Sequence, residues 1–357
     1  MKEKKTEPKN KSLKQATLDK VKELIEAEEY DQALATLDEI DSQDDELVAK
    51  VGNLRGVIYI RKGLLREAEL ALIRAVKADP SLSEAFYNLG WVYQQQQDYS
   101  RALAFYKEAI MQIGDDAEIY ELMALCTIAM DNPTDAVSFY NAALKLRPDS
   151  LNIAAGLAQL YIKLGDLNKA TEILKIALIS HPERSELHMT LGLIQKDQGL
   201  YENAIAHFRK VVMQDEYNSE AFNLLGECCM AIGLNKQAEP FFAKAAKLDP
   251  LNLKAISNLG ALYFDKKNYE KAAIILQQWL KEYRDQLQLI DQGIEEQKDA
   301  VHFINMLGKS YQKLKNYDRA RETFELSLQI DDDQPEIEKL MDKLESQSYK
   351  QVSFSLN

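Results

Sequence analysis

Chemistry in this chain would have to come from four histidines, three cysteines and its carboxylates. His181 stands at a turn beside Pro182, His188 and His207 fall on separate helices of one stretch, and His302 is remote from all three. A zinc centre needs three or four converging ligands, and no His or Cys spacing here supplies them. Cys126, Cys228 and Cys229 offer thiols. A cysteine nucleophile needs a partnered base and donors for an oxyanion, and no such constellation is visible. Three cysteines give no disulfide framework. Cys228 and Cys229 are adjacent on a helix and point to different faces, so Cys126 and at least one of the pair read as small buried packing. That usage suits a reducing compartment. Glycines come singly, which leaves no phosphate-cradling loop. Acidic residues outnumber basic ones by 57 to 44, but they sit mostly on polar helix faces. The sequence therefore predicts no catalytic residue, no metal site, no cofactor and no enzyme.

The elements that would carry any site are clearest from Ser81 to Asp116. Phe86, Leu89, Gly90 and Tyr93, then Tyr99, Ala102, Tyr106 and Ala109, recur at spacings of three and four. They mark one face on each of two amphipathic helices joined by a polar turn. Gly90 and Ala102 are expected where the two helices approach most closely. Such a hairpin cannot bury its apolar face alone and needs neighbours.

The neighbours are in the sequence. The frame Gly90, Ala102, Ala109 recurs as Gly56, Ala68, Ala75; Ala124, Ala136, Ala143; Ala158, Ala170, Ala177; Gly192, Ala204, Val211; Gly226, Ala238, Ala245; and Gly260, Ala272, Trp279. Each set begins 34 residues after the last, without insertion or deletion from about 49 to 286. Pro80, Pro148, Pro182 and Pro250 close units in phase, just past the second helix, where a residue that cannot continue a helix is tolerated. Gly63, Gly165, Gly199 and Gly233 keep the same phase in the turns. A generic helical bundle would not hold this spacing.

Period, small residues, an aromatic at the seventeenth position and the closing proline together resemble the tetratricopeptide repeat, or TPR. The resemblance covers nearly the whole chain. It implies an all-α fold, a right-handed superhelical solenoid of antiparallel helix hairpins, with about nine repeats. On this reading residues 1–13 form a disordered Lys/Glu-rich tail, and 14–47 a degenerate first repeat whose polar helix acts as a cap. Residues 49–286 hold seven contiguous repeats, the last helix running beyond them. Between Gly260 and the next matching glycine, Gly308, lie 48 residues, which is 34 plus 14. The surplus, 287–300, is expected to extend two antiparallel helices, with a loop insertion as the alternative. A ninth repeat at 301–334, a capping helix at 335–346 and a tail at 347–357 complete the chain. Pro133 should open a helix. Pro240, inside one, should bend it slightly or delay its start. Trp279 replaces a small residue and should fill core space beside the lengthened hairpin.

Composition narrows the partners. A net charge of -13 does not suit nucleic acid, which needs a basic stripe to neutralise phosphate. Met1–Asn10 is rich in Lys and Glu, and no apolar run follows, so the reading is no signal peptide, no membrane insertion and a cytoplasmic address.

In TPR proteins the usual ligand is a peptide segment or partner helix in the concave groove lined by the first helices. One version resembles a clamp of lysine, asparagine and arginine around a terminal carboxylate, and no three consecutive units here carry that set. Repeat phase assigns to the groove Asn53, then Tyr87, Asn88, Trp91 and Gln95, then Leu125, then Gln159 and Lys163. It continues with Leu193, then Asn223, Glu227 and Met230, then Asn258 and Phe264. Asn88 and Asn258 share one phase. Their amides either hold a bound backbone through donor and acceptor or are ordinary solvated amides. Trp91 lies off the main buried stripe, as a binding anchor would, with packing against the neighbouring helix as the competing role. The expected function is a non-catalytic scaffold or adaptor for another protein or peptide. A self-assembling scaffold forming a homo-oligomer, or a peptide-sensing regulator, is the alternative.

Overall fold

The computed structural model describes residues 7–250, 252–287 and 294–344. Every regular element among them is an α-helix. They pack as consecutive hairpins: α1 (Glu7–Glu26) with α2 (Tyr30–Asp38), α3 (Asp45–Arg61) with α4 (Leu65–Ala78), and α5 (Ser83–Gln95) with α6 (Tyr99–Ile113). Next come α7 (Ala117–Ala129) with α8 (Pro133–Leu146) and α9 (Leu151–Lys163) with α10 (Leu167–Ser180). The series continues with α11 (Ser185–Asp197) and α12 (Tyr201–Gln214), α13 (Ser219–Ala231) and α14 (Asn235–Leu248), and α15 (Leu253–Asp265) and α16 (Tyr269–Leu287). The last pair is α17 (Ile294–Lys313) with α18 (Tyr317–Ile330), followed by α19 (335–344). Two compact units divide after Pro182, so α1–α10 belong to the first and α11–α19 to the second.

The turn inside each hairpin has one solution. Gly63, Gly165, Gly199 and Gly233 adopt left-handed backbone at φ 73 to 78°, and so, in the same position of other hairpins, do Glu28, Gln97, Asp131, Lys267 and Lys315 at φ 54 to 62°. The next amide then reaches back five residues, as Asp98 N–H does to the Tyr93 carbonyl at 2.9 Å. The same bond runs from Leu64 to Tyr59, Asn132 to Thr127 and Asp166 to Tyr161. This is a Schellman closure, which satisfies helix-end carbonyls that would otherwise be orphaned. Asp98, Asn132, Asp166 and Asn316 then cap the second helix through their side chains.

At the close approach of α5 and α6, Gly90 has a specific partner. Gly90 faces the ring of Tyr106, sixteen residues on; a Cβ added at Gly90 would lie 2.6 Å from that ring. The glycine is a socket for a large side chain, and Gly226 receives Phe242 in the same way. Ala102 is fully buried beside this contact. In the next hairpin the socket residue is Ala124, and the hydroxyl end of Tyr140 lies against Gly156 of α9.

Differences from the expected organisation are local. Residues 7–13, read as tail, belong to α1. Pro8 sits in the first turn, where its missing N–H removes no bond, and the lysines, Leu13 and Gln15 favour helix. Residues 1–6, 288–293 and 345–357 lie outside the described residues, and with them the rest of that tail, the centre of the 287–300 insertion and the 347–357 tail. The flanking α16 and α17 span 19 and 20 residues, against 13 to 15 in α5–α8. Pro133 opens α8. Pro240 does not delay α14, which begins at Asn235 and runs through it; the proline removes a single backbone bond and leaves the rest of the ladder. Trp279 is buried, stacked on Tyr283 at 4.9 Å and edge-on to Phe303 at 5.5 Å. Ile337 and Leu344 of α19 pack on Phe324 and Leu307, covering the last hairpin.

Candidate functional site on the first helices

In the first unit the residues assigned by phase lie on α3, α5, α7 and α9. Asn88 on α5 donates from Nδ2 to Asn53 Oδ1 on α3 at 2.8 Å, and Tyr87 donates from its hydroxyl to Glu118 Oε1 on α7 at 2.8 Å. Helix α5 is thus pinned to the first helices on both sides. Burial, then the hydrogen bond and charge of Glu118, push the Tyr87 phenol up to about 12. The Tyr87 ring also stands 6.1 Å from that of Tyr106, the residue filling the Gly90 socket. Trp91, one helical turn beyond Tyr87, is half-buried and packs against the core of this unit while keeping part of its surface open. Leu125 is 42% exposed, which for a leucine on a helix flanked on both sides marks a face without a partner. Gln95, Gln159 and Lys163 are exposed on α5 and α9, and none of the described hydrogen bonds joins them to the Asn53–Asn88 or Tyr87–Glu118 pairs.

The second unit repeats the amide pair with a different charge around it. Asn258 on α15 donates to Asn223 Oδ1 on α13 at 3.0 Å, and Asn223 donates to Glu227 Oε1 at 2.9 Å. Glu227 also accepts from Asn258 at 3.3 Å, and it pairs with Lys196 at 2.8 Å and Lys254 at 3.4 Å. Burial raises the Glu227 carboxyl, but Lys196, Lys254 and the Asn223 amide outweigh it and hold the group below the usual carboxylate range. Asn223 is 3% exposed, so this amide is a buried strut and not a solvated groove residue. Leu193, Met230 and Phe264 are half-buried on α11, α13 and α15. Phe264 lines a cavity of about 580 Å³ with Ala261, His302, Met306, Lys309 and Ile337.

The assigned residues therefore split into two groups. Asn53 with Asn88, and Asn223 with Glu227 and Asn258, are joined by hydrogen bonds. Both amide pairs span 35 residues and lie 170 residues, five repeat lengths, apart. Asn88 and Asn258 each donate across the helix pair, while Asn53 and Asn223 accept there through Oδ1, which leaves any role as a backbone clamp to the groups that remain. Glu118, Lys196 and Lys254 are members that reading for groove residues passed over; the signal was a 31-residue offset, which joins Tyr87 to Glu118 and Lys196 to Glu227.

The groups that could have carried chemistry are engaged elsewhere. His188 Nδ1 lies 2.9 Å from His207 Nδ1, and His181 Nε2 lies 2.6 Å from the Asp149 carbonyl. Among the described residues no three His, Cys, Asp or Glu side chains converge as metal ligands. All three cysteines are buried thiols, including both members of the adjacent pair, because α13 is covered on two faces. Burial pushes the Cys126 and Cys228 thiols up to about 11, the opposite of what a nucleophile needs. Among the described residues no helix is long and apolar enough to cross a membrane.

Three tetratricopeptide-repeat family models match, one over residues 53–118 and 191–252, one over 127–194 and 233–291, and one over 301–334. The chain belongs to the tetratricopeptide-repeat family. Among curated relatives it is 25% identical over 305 residues to TPR repeat-containing protein YpiA of Bacillus subtilis (strain 168), covering 85% of this chain and 68% of that one. It is also 25% identical over 250 residues to DnaJ homolog subfamily C member 3 of Gallus gallus, covering 61% of this chain and half of the relative. The solved C-terminal part of a TPR repeat-containing protein from Cytophaga hutchinsonii superposes with a TM-score of 0.60 at 12% identity, over 71% of this chain and 98% of that one. That likeness is one of fold.

Proposed function

We propose that this TPR protein is a non-catalytic scaffold or adaptor that holds a peptide or helical segment of another protein on its first helices. The observation that carries this reading is α5. It is fixed to α3 by Asn88–Asn53 and to α7 by Tyr87–Glu118, yet it leaves Trp91 half open, and α7 exposes Leu125 at the same repeat position 34 residues on. A rigid aromatic and an aliphatic neighbour, already ordered before binding, lose little entropy on contact and make an effective anchor. The reduced, buried cysteines support a cytoplasmic setting.

Affinity capture from the source cell's extract, comparing the intact chain with Tyr87→Ala/Trp91→Ala, tests the reading. A protein held by the intact chain and lost from the variant is the expected result. Equal capture by both would remove the groove assignment.

Self-assembly is the second reading. It is favoured by Met111 and Ile179, which occupy one repeat position two repeats apart and are 75% and 81% exposed. It predicts a solution mass that rises with concentration.

A further inference from the structure

Resting on the reading just given, we infer that the α5–α7 face of the first unit takes a cationic amphipathic segment, with its apolar side chains on Trp91 and Leu125 and its basic groups over the first turns of the two helices. The apolar part of the face is unpartnered: Leu125 is exposed and Trp91 half-exposed. One turn or more towards the helix N-termini the character changes. Glu84 and Glu118 are exposed, and Glu121 is half-buried between them and the apolar platform.

The carboxylates at this end are not internally matched as those of the second unit are. Glu227 has two lysines and two amides around it. Glu118 has a phenol as its hydrogen-bond donor. Burial and the like charge of Glu118 push the Glu121 carboxyl up, and Arg147 opposes them only partly. A carboxylate in that state gains from any further cation placed beside it. The face therefore favours lysine or arginine one to two turns from an apolar anchor, and disfavours an acidic segment by like-charge contact. Glutamines Gln94 and Gln95 at the other end of α5 are neutral, so the preference has a direction: basic end towards Glu118, apolar end towards Trp91.

The test uses the whole chain and three synthetic amphipathic helical peptides that share one leucine face. They differ only in carrying lysine, glutamine or glutamate beside it. Binding is read from the fluorescence anisotropy of a dye carried by each peptide, so that variants lacking Trp91 are read in the same way. The lysine peptide is expected to bind about tenfold tighter than the glutamate peptide at low salt, with the gap narrowing as salt rises. In Glu118→Gln/Glu121→Gln, which keeps an acceptor for the Tyr87 hydroxyl, the lysine peptide should fall to the affinity of the glutamine peptide. Equal affinities for all three peptides, or tightest binding of the glutamate peptide, would overturn the inference. If equal binding is still abolished by Tyr87→Ala/Trp91→Ala, the face remains a docking site and only its charge preference is wrong. If binding survives that double change, the assignment of the face falls as well.

Discussion

Replacing Gly90 by alanine tests the helix packing at its tightest point. The added methyl would stand 2.6 Å from two ring carbons of Tyr106, where carbon–carbon contacts settle at roughly 3.5–4.0 Å. The ring must retreat by about 1 Å. It has little freedom to do so, being fully buried with its hydroxyl donated to Gln94 Oε1 at 2.7 Å. Overpacking of this kind costs about 1–3 kcal/mol, and alanine returns up to about 1 kcal/mol through its better helix propensity. Straining the hydroxyl bond adds a further ~0.5–1 kcal/mol. These contributions sum to a net loss of about 0.5–3 kcal/mol, which raises the open population of this hairpin roughly 2- to 150-fold. Amide hydrogen exchange read by mass on α5 and α6 is the suitable assay, because long repeat arrays need not unfold in one step. The chain also indicates a compensation. The ring end of Tyr140, in the unit whose socket residue is Ala124, lies on Gly156, the residue two before the next socket; the matching position for Tyr106 is Leu122. Leu122→Gly should therefore be less damaging in the Gly90→Ala background than alone, with a coupling of at least ~0.5 kcal/mol. Protection of α5 and α6 in Gly90→Ala equal to or above the parent would refute the socket reasoning.

Two further outcomes follow from local geometry. Gln97→Gly should stabilise the α5–α6 hairpin by up to about 1 kcal/mol, because Gln97 holds φ 62° where other hairpins use glycine; thermal unfolding checks this, and a fall in Tm would contradict it. Glu227→Gln should lower stability by about 1 kcal/mol near neutral pH, a value reduced for the partial exposure of its lysine partners. The Glu227 carboxyl is held below its usual range, so its contribution is present above the unfolded carboxylate pKa of about 4.3 and is lost as pH falls through the lower folded value. Denaturation profiles of parent and variant should converge in acid, and a constant offset at all pH values would contradict the assignment.

The solenoid was legible because each unit needs the same few residue types at the same places. Gly or Ala at the socket and Ala on the second helix repeat over seven units, and Pro past its end closes four of them; that phase is fixed by helix-on-helix packing. What the phase did not show was the partner of each small residue. Gly90 and Ala102 are both small, yet the socket is filled by Tyr106, a side chain that reaches across from the next turn of the second helix. The turn at Gln97 was legible only by position, since its side chain carries no preference for left-handed backbone. The residues sharing one phase on the first helices were visible, but the struts between them were not. Asn53 with Asn88 and Lys196 with Glu227 pair across helices at offsets of 35 and 31, one more and three fewer than the repeat, which a search at 34 passes over. Cys228 and Cys229 are both buried because α13 is covered on two sides, a condition that a single amphipathic stripe does not describe.

The most direct measurement of the central claim is amide hydrogen exchange on the chain with and without the partner it captures. The account predicts protection confined to first helices, greatest in α5 and α7 around Tyr87, Trp91 and Leu125. Protection falling on the second helices α4, α6 and α8, with α5 and α7 unchanged, would contradict it.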